Sequence, residues 1–324
     1  MPTSGNTSYS LTTSAIIQQA FEKAEIISAG DSVPTADYNS ALIQLNLMVK
    51  DWQNERRLYL QHIEETTLFL NVGQRTYQLG NNSTDHYALN DNLIETKLTE
   101  DEVSTDTLIH VNDTTGMAIN DIIGVVLDTS EIHWSTVNTV NSSTTVTLNN
   151  ALPEDATQGN YVFSYRDAGG RPLEIVSAML RQAGGTDDVL SQQISEIPVS
   201  PVSQETYFKF PNKGTQGGSP LQFFMDKKNT HSVLNLYPVP NTPSYRIKLL
   251  VKRIIENFDS GSDIADLPQE SGLALIYGLA CLLATNYRRS DLLPILEQKA
   301  DRYLDNLCSV FQENNVSTKI VPKY

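Results

Sequence analysis

The chain has 324 residues, 40% of them hydrophobic, and a formal net charge of −15 from 38 acidic against 23 basic side chains. That length predicts two domains, or one large domain with an insertion, and the apolar fraction is enough for a true core. The acidic balance argues against a conventional DNA- or RNA-binding module, whose affinity rests on basic contacts to phosphate.

Residues 1–12 read as a polar arm without the apolar region of a secretory signal. Over residues 14–29, Ile17, Ala20, Phe21, Ala24 and Ile27 recur at the spacing of one helical face. Gly30 and Asp31 stop that helix and Pro34 opens the next, whose stripe is Tyr38, Leu42, Leu45, Met48, Val49 and Trp52. A short connection predicts an antiparallel pair.

After Tyr59 the period changes to two. Residues 66–72 and 75–79, parted by Gly73 and Gln74, predict a β-hairpin. From Glu95 to Asp155 there are eleven acids and one base, Lys97. Strand patterns within and just beyond this stretch fall at 108–111, 122–127, 132–140, 144–148 and 161–165, with Asn, Asp, Gly and Ser between them. Five short strands in so little chain predict a compact barrel or sandwich. Its charges read first as a solvated face, and they also suit the wall of a channel through which DNA slides without sticking.

Strand patterns resume at 172–181, 233–236 and 245–251, with a short helix near Glu205 to Tyr207. Two helices follow, over 269–287 and 291–311; the second carries Leu296, Ala300, Tyr303, Leu304, Leu307 and Phe311 as a stripe. The first holds an apolar run from Gly272 to Ala284, too short for a bilayer, which takes about 20 residues. It needs neighbours on every side, either in its own core or partly on a second chain. Cys281 and Cys308 lie on apolar helical faces, which fits a reducing compartment, and two cysteines fall short of a closed cysteine zinc site.

The expected fold class is α+β. N- and C-terminal helices pack into one helical domain (1–60 with 267–312), and a central β-rich region (61–96 and 161–266) carries the inserted β-barrel or sandwich module, 97–160. Residues 313–324 form a C-terminal extension.

Recognisable chemistry is sparse. The glycines after Lys213 lack phosphate-loop spacing and read as a flexible loop. Asp259, Asp263 and Asp266 lack the alternating ligands of a calcium loop and read as turn and cap residues. His62, His86, His110, His133 and His231 are scattered, and no nucleophile elbow occurs. No catalytic, cofactor or metal residue is expected, so the chain reads as a non-enzyme without cofactors. The enzymatic alternative is a glycan-degrading activity, with Trp134 stacking on sugar and Asp128 and Glu131 as acids. Trp134 reads more simply as a core residue of the insert.

Several segments in order carry a family resemblance. They are the run from Asp51-Trp52-Gln53 through Leu58-Tyr59, the run from Leu68 to Leu79, Gly170-Arg171-Pro172-Leu173-Glu174-Ile175, and Tyr207 with Pro211 and Lys213. Gly218-Ser219-Pro220-Leu221, Leu236-Tyr237-Pro238-Val239-Pro240 and the run from Arg253 to Asp259 come next. Leu267-Pro268-Gln269-Glu270, the run from Leu275 to Ala280, and Asn286-Tyr287 complete the series. With these the chain resembles the head-to-tail adaptor proteins of short-tailed bacteriophages, over most of its length outside 95–160.

The resemblance implies a structural role at the head–tail junction of a virion, after synthesis in the bacterial host cytoplasm. It implies a homo-oligomeric ring, usually of twelve copies, that binds the portal protein and closes its distal end. Such a ring supports tail nozzle and fibre proteins, and genomic DNA passes through it without sequence-specific recognition or any membrane contact. It places portal binding in the C-terminal extension. There Ile320, Val321 and Tyr324 would enter apolar grooves, Lys319 and Lys323 would pair with acids, and Pro322 lies between them. Tyr277, Tyr287, Arg288 and Arg289 are the candidates for contact between subunits. The acidic insert, absent from the smallest adaptors, is expected to face outward and bind a tail or fibre protein. Another virion component, such as a nozzle, collar or fibre-attachment protein, is the alternative within the same class.

Overall fold

A computed structural model describes residues 9–54, 63–80, 84–182, 195–214, 218–243 and 245–310. The chain is mixed α+β, with more strand than helix elements, and divides into two compact units: residues 1–62 with 255–324, and residues 63–254.

The first unit is helical. Its elements are α1 (Thr13–Lys23), α2 (Thr35–Asn54), α4 (Gly272–Asn286) and α5 (Leu293–Val310); the short α3 (Gln204–Phe208) belongs to the second unit. Thr12 caps α1 by accepting from the Ala15 amide. The next amides of that first turn, Thr13 and Ser14, donate to the carbonyls of Asp263 and Gly261, so a distant loop finishes the helix end. Ile16, Ile17, Ala20 and Phe21 of α1 meet Leu45, Met48 and Val49 of α2 around Leu275, Leu279 and Leu283 of α4. Leu296 and Leu307 of α5 close the core. Gly278 lets α2 come close: a Cβ there would lie 2.8 Å from Met48 Sδ and 3.0 Å from Trp52 Cζ2.

The second unit is built from β1 (Ile63–Phe69), β2 (Thr76–Leu79), β3 (Tyr87–Leu89), β4 (Ile94–Lys97), β5 (Leu108–His110), β6 (Ile122–Val126), β7 (Ile132–Val140) and β8 (Thr145–Leu148). The remaining strands are β9 (Tyr161–Tyr165), β10 (Pro172–Gln182), β11 (Ser195–Pro198), β12 (Ser200–Pro201), β13 (Gln222–Lys227), β14 (Ser232–Tyr237) and β15 (Arg246–Arg253). One sheet has the order β11-β10-β15-β1-β3 and another β12-β13-β14-β2. They share a core that includes Leu68, Tyr77, Leu180, Phe223, Leu234 and Leu249.

The expected hairpin between 66–72 and 75–79 does not form. β1 pairs with β15 and β3, whereas β2 pairs with β14, so the Gly73 turn hands the chain from one sheet to the other. Leu68 and Leu79 thus reach one core from two sheets, a burial that a two-stranded ribbon alone would not supply.

The third sheet, β4-β9-β6-β7-β8-β5, takes in a strand on each side of residues 97–160. Its first and last strands meet. Leu98 bridges Val111, Thr99 N donates to His110 O at 2.9 Å, and Asn112 N donates to Lys97 O at 3.0 Å. The sheet therefore curls around its own core of Ile109, Ile123, Val125, Val137, Val146 and Val162. A second cluster ties it to β1, with Phe69 against Phe163 and Tyr165. Beside it Glu95 accepts from Arg246 at 3.1 Å and Arg181 at 3.2 Å, and the Arg246 guanidinium lies over the rings of Tyr161 and Phe163.

Candidate assembly surfaces

α4 is apolar around most of its circumference, yet its own chain does not cover it completely. Leu273 remains 49% exposed and Leu282 40% exposed. At 100° per residue, nine positions place these two leucines about 180° apart, on opposite sides of the helix. Each has apolar company.

On one side, Leu282 and the largely exposed Leu47 line a groove with Gln44, Met48, Asp51 and Thr285. Ile43, one turn before Leu47 on α2, is also exposed. On the other side, Leu273 lines a groove with Tyr9, Leu11, Lys23, Glu270 and Ile276. Tyr9 is held there by its amide, which donates to Gln269 Oε1 at 2.9 Å. Exposed apolar side chains rimmed by polar ones are candidates for contact with another molecule. Ile43 and Leu47 lie off the buried stripe of α2 and four residues apart. That second apolar row was the available sequence signal for one face; Leu273 and Leu282 were hidden within an all-apolar run.

The sequence candidates for subunit contact divide. Tyr277 is buried in its own chain, stacked on Tyr303 of α5 at 5.2 Å with Lys299 Nζ over its ring. Tyr287 sits edge-on to Phe21 at 5.7 Å and stays partly exposed. Burial, then its hydrogen bond to Asp37 and that carboxylate's charge, push the Tyr287 phenol up to about 12. Arg288 is exposed in a left-handed conformation, φ +57°. Arg289 is engaged within the chain, donating to the Glu25 carboxylate at 2.7 Å and the Glu25 carbonyl at 2.9 Å. Lys319, Ile320, Val321, Pro322, Lys323 and Tyr324 lie outside the described residues.

In the insert, Trp134 stacks on His86 at 3.6 Å between centroids and meets the Phe69 ring edge-on, while Gly124 gives its ring room to lie against the sheet. His86 also holds the Tyr165 hydroxyl at 2.8 Å. With His86 on one face and Gly124 close by, Trp134 acts as packing between the curled sheet and β1. Asp128 accepts from Thr157 N and Oγ1 and from Asn160 Nδ2, which hold its carboxyl below the usual range. A general acid requires the opposite shift.

Asp263 closes a turn by accepting from the Asp259 and Ser260 amides, and Asp266 accepts from the Glu256 amide. Among the described residues no group of three or more His, Cys, Asp or Glu side chains could hold a metal ion, and no helix is long and apolar enough to cross a membrane. Cys281 and Cys308 are not joined in a disulfide. Burial, with Glu297 and Asp301 adding to it, pushes the Cys281 thiol up to about 11.

No family model matches the chain, and no curated protein matches its sequence. Among solved structures it is similar to VP17, a capsid protein of bacteriophage P23-77. The identity is 12% and the TM-score 0.13, over 62% of this chain and 77% of that one. A likeness this slight carries no argument about fold or function.

Proposed function

We propose that the chain is a ring-forming head-to-tail adaptor of a short-tailed bacteriophage virion. It binds beneath the portal, extends the DNA channel and carries the tail nozzle and fibres. The observation that carries this reading is the pair of apolar grooves on opposite sides of α4. A two-fold dimer uses one patch on both copies, whereas a closed ring uses two different patches on each copy, facing away from each other. Asp51 on one rim and Lys23 on the other supply opposite charges for such a contact. The family resemblance gives the neighbours: the portal for 319–324, DNA in the channel, and tail proteins beyond.

Mass photometry of the chain, alone and mixed with portal rings of its own virus, tests the proposal. A portal complex heavier by about twelve copies is expected. Binding instead to tail nozzle or fibre protein, with none to the portal, would move the chain to another place in the virion. Binding to neither would end the structural reading.

A further inference from the structure

The most exposed large apolar side chain among the described residues lies far in sequence from α4. Phe208 is 82% exposed at the end of α3. The turn that carries it is held from several sides. Ser203 caps α3 by accepting from the Thr206 amide, and Lys213 Nζ donates to the carbonyls of Phe208 at 2.8 Å and Phe210 at 2.9 Å. Tyr207 packs on Phe224 and Phe210, and Phe210 stacks on Tyr237 at 4.5 Å. Two of the three neighbouring aromatics thus anchor the turn, and the third is fixed pointing into water. Two lysines flank it: Lys213 Nζ lies 5.5 Å from its ring centroid, and Lys209 pairs with Glu205 at 2.6 Å, while the charge of Arg75 acts on Tyr207. A preorganised aromatic beside basic groups is the composition of an interface anchor.

The same chain carries a complementary surface. Of the charged residues from Glu95 to Asp155, eleven are acidic and one, the buried Lys97, is basic; Glu95 and Asp121 are paired to arginines and Glu102 is buried, which leaves the rest to the surface charge. Within that insert Val103 is 55% exposed. Its amide donates to Asp106 Oδ2 and the next amide, Ser104, to Asp155 Oδ1. Asp101, bonded to the Gln158 amide, lies on the same pair of crossing segments. An exposed aliphatic group among carboxylates fits an exposed aromatic beside two lysines, in both apolar and electrostatic terms.

We propose that the Phe208 turn of one copy docks on the Val103 region of the acidic insert of a second copy. Phe208 covers Val103 while Lys209 and Lys213 face Asp101 and Asp106. The contact joins two different surfaces, so it propagates from copy to copy. It is independent of the α4 grooves and gives the insert a task within the assembly.

The test uses full-length protein with a photo-crosslinking benzoylphenylalanine in place of Phe208, mixed with nitrogen-15-labelled wild-type chain. Crosslinks between labelled and unlabelled copies are expected at residues 100–108 or 153–158, falling as salt is raised. Lys209→Glu should reduce them about tenfold, and a labelled Asp106→Lys partner should restore them. Leu282→Glu should leave them in place, which separates this contact from assembly through α4. Crosslinks mapped elsewhere, their absence, or a yield indifferent to Lys209→Glu would overturn the proposal.

Discussion

The side-chain amide of Asn46 bonds both backbone groups of Phe258: its Nδ2 donates to the Phe258 carbonyl and its Oδ1 accepts from the Phe258 amide, each at 2.9 Å. The two residues are 212 positions apart. One helical side chain thus replaces the strand partner that the segment after Ile255 lacks, and Lys50 donates to the Ile255 carbonyl one turn along α2. The buried Phe258 ring is fixed against the helices in consequence.

Asn46→Ala removes both bonds and leaves two backbone groups to find water. The expected loss is about 2 kcal/mol in urea unfolding. Asn46→Asp keeps the acceptor but sets a carboxylate oxygen against the Phe258 and Leu42 carbonyls, so at neutral pH it should cost at least as much as Asn46→Ala.

The His86 ring stacked on Trp134 gives a pH dependence with a definite sign. Burial lowers its pKa from 6.5 to about 4, so the folded state holds it neutral while the unfolded chain takes up a proton. Below pH 6.5 the unfolded state binds more protons, and stability is lost as pH falls from 6.5 towards 4. The full contribution is about 3 kcal/mol, present above pH 6.5. Urea midpoints across this window should slope for the wild type and flatten for His86→Asn.

Gly124 is where the curled sheet makes room for Trp134, since a Cβ there would lie 2.5 Å from Trp134 Cζ3. Gly124→Val should push the indole off His86 and cost about 1–3 kcal/mol. The same displacement should raise the His86 pKa, readable by NMR titration of its ring protons.

Glu95 holds two guanidiniums, and Arg246 is almost wholly buried. Glu95→Gln takes the carboxylate away and leaves the cations in place, so it should cost about 3 kcal/mol. The loss should loosen the curled sheet first, detectable as faster amide exchange in β4 and β9 than in β13 and β14.

Leu47→Glu and Leu282→Glu change exposed positions, so thermal unfolding should move little, within about 0.5 kcal/mol. Assembly should respond strongly. Portal complexes formed with either variant are expected to lose most of their added mass.

Much of the architecture was legible because local periodicity reports burial. The stripe of α2 from Leu45 to Trp52 and the alternation along Val233, Leu234, Asn235 and Leu236 follow from which side chains must leave water. The strands β3, β4, β11, β12 and β13 were not read. Several are only two to four residues long, and β13 carries two adjacent aromatics, Phe223 and Phe224, rather than alternating. Partner choice was illegible for a different reason. β1 and β2 look like neighbours because one glycine turn joins them, but pairing is set by which sheet can bury Leu68 and Leu79 together, a sum over strands as distant in sequence as Lys252 is from Ile63.

By itself the sequence determined the mixed class, the terminal helices and the short strands of the acidic stretch, since each rests on composition or spacing along the chain. Only the tertiary structure decided that Tyr277 and Arg289 are occupied at home, and that Leu273, Leu282 and Phe208 remain at the surface. An apolar residue's tendency to leave water is written in its own side chain. Whether its own chain covers it depends on what the rest of the fold brings to that spot, and periodicity carries no record of that.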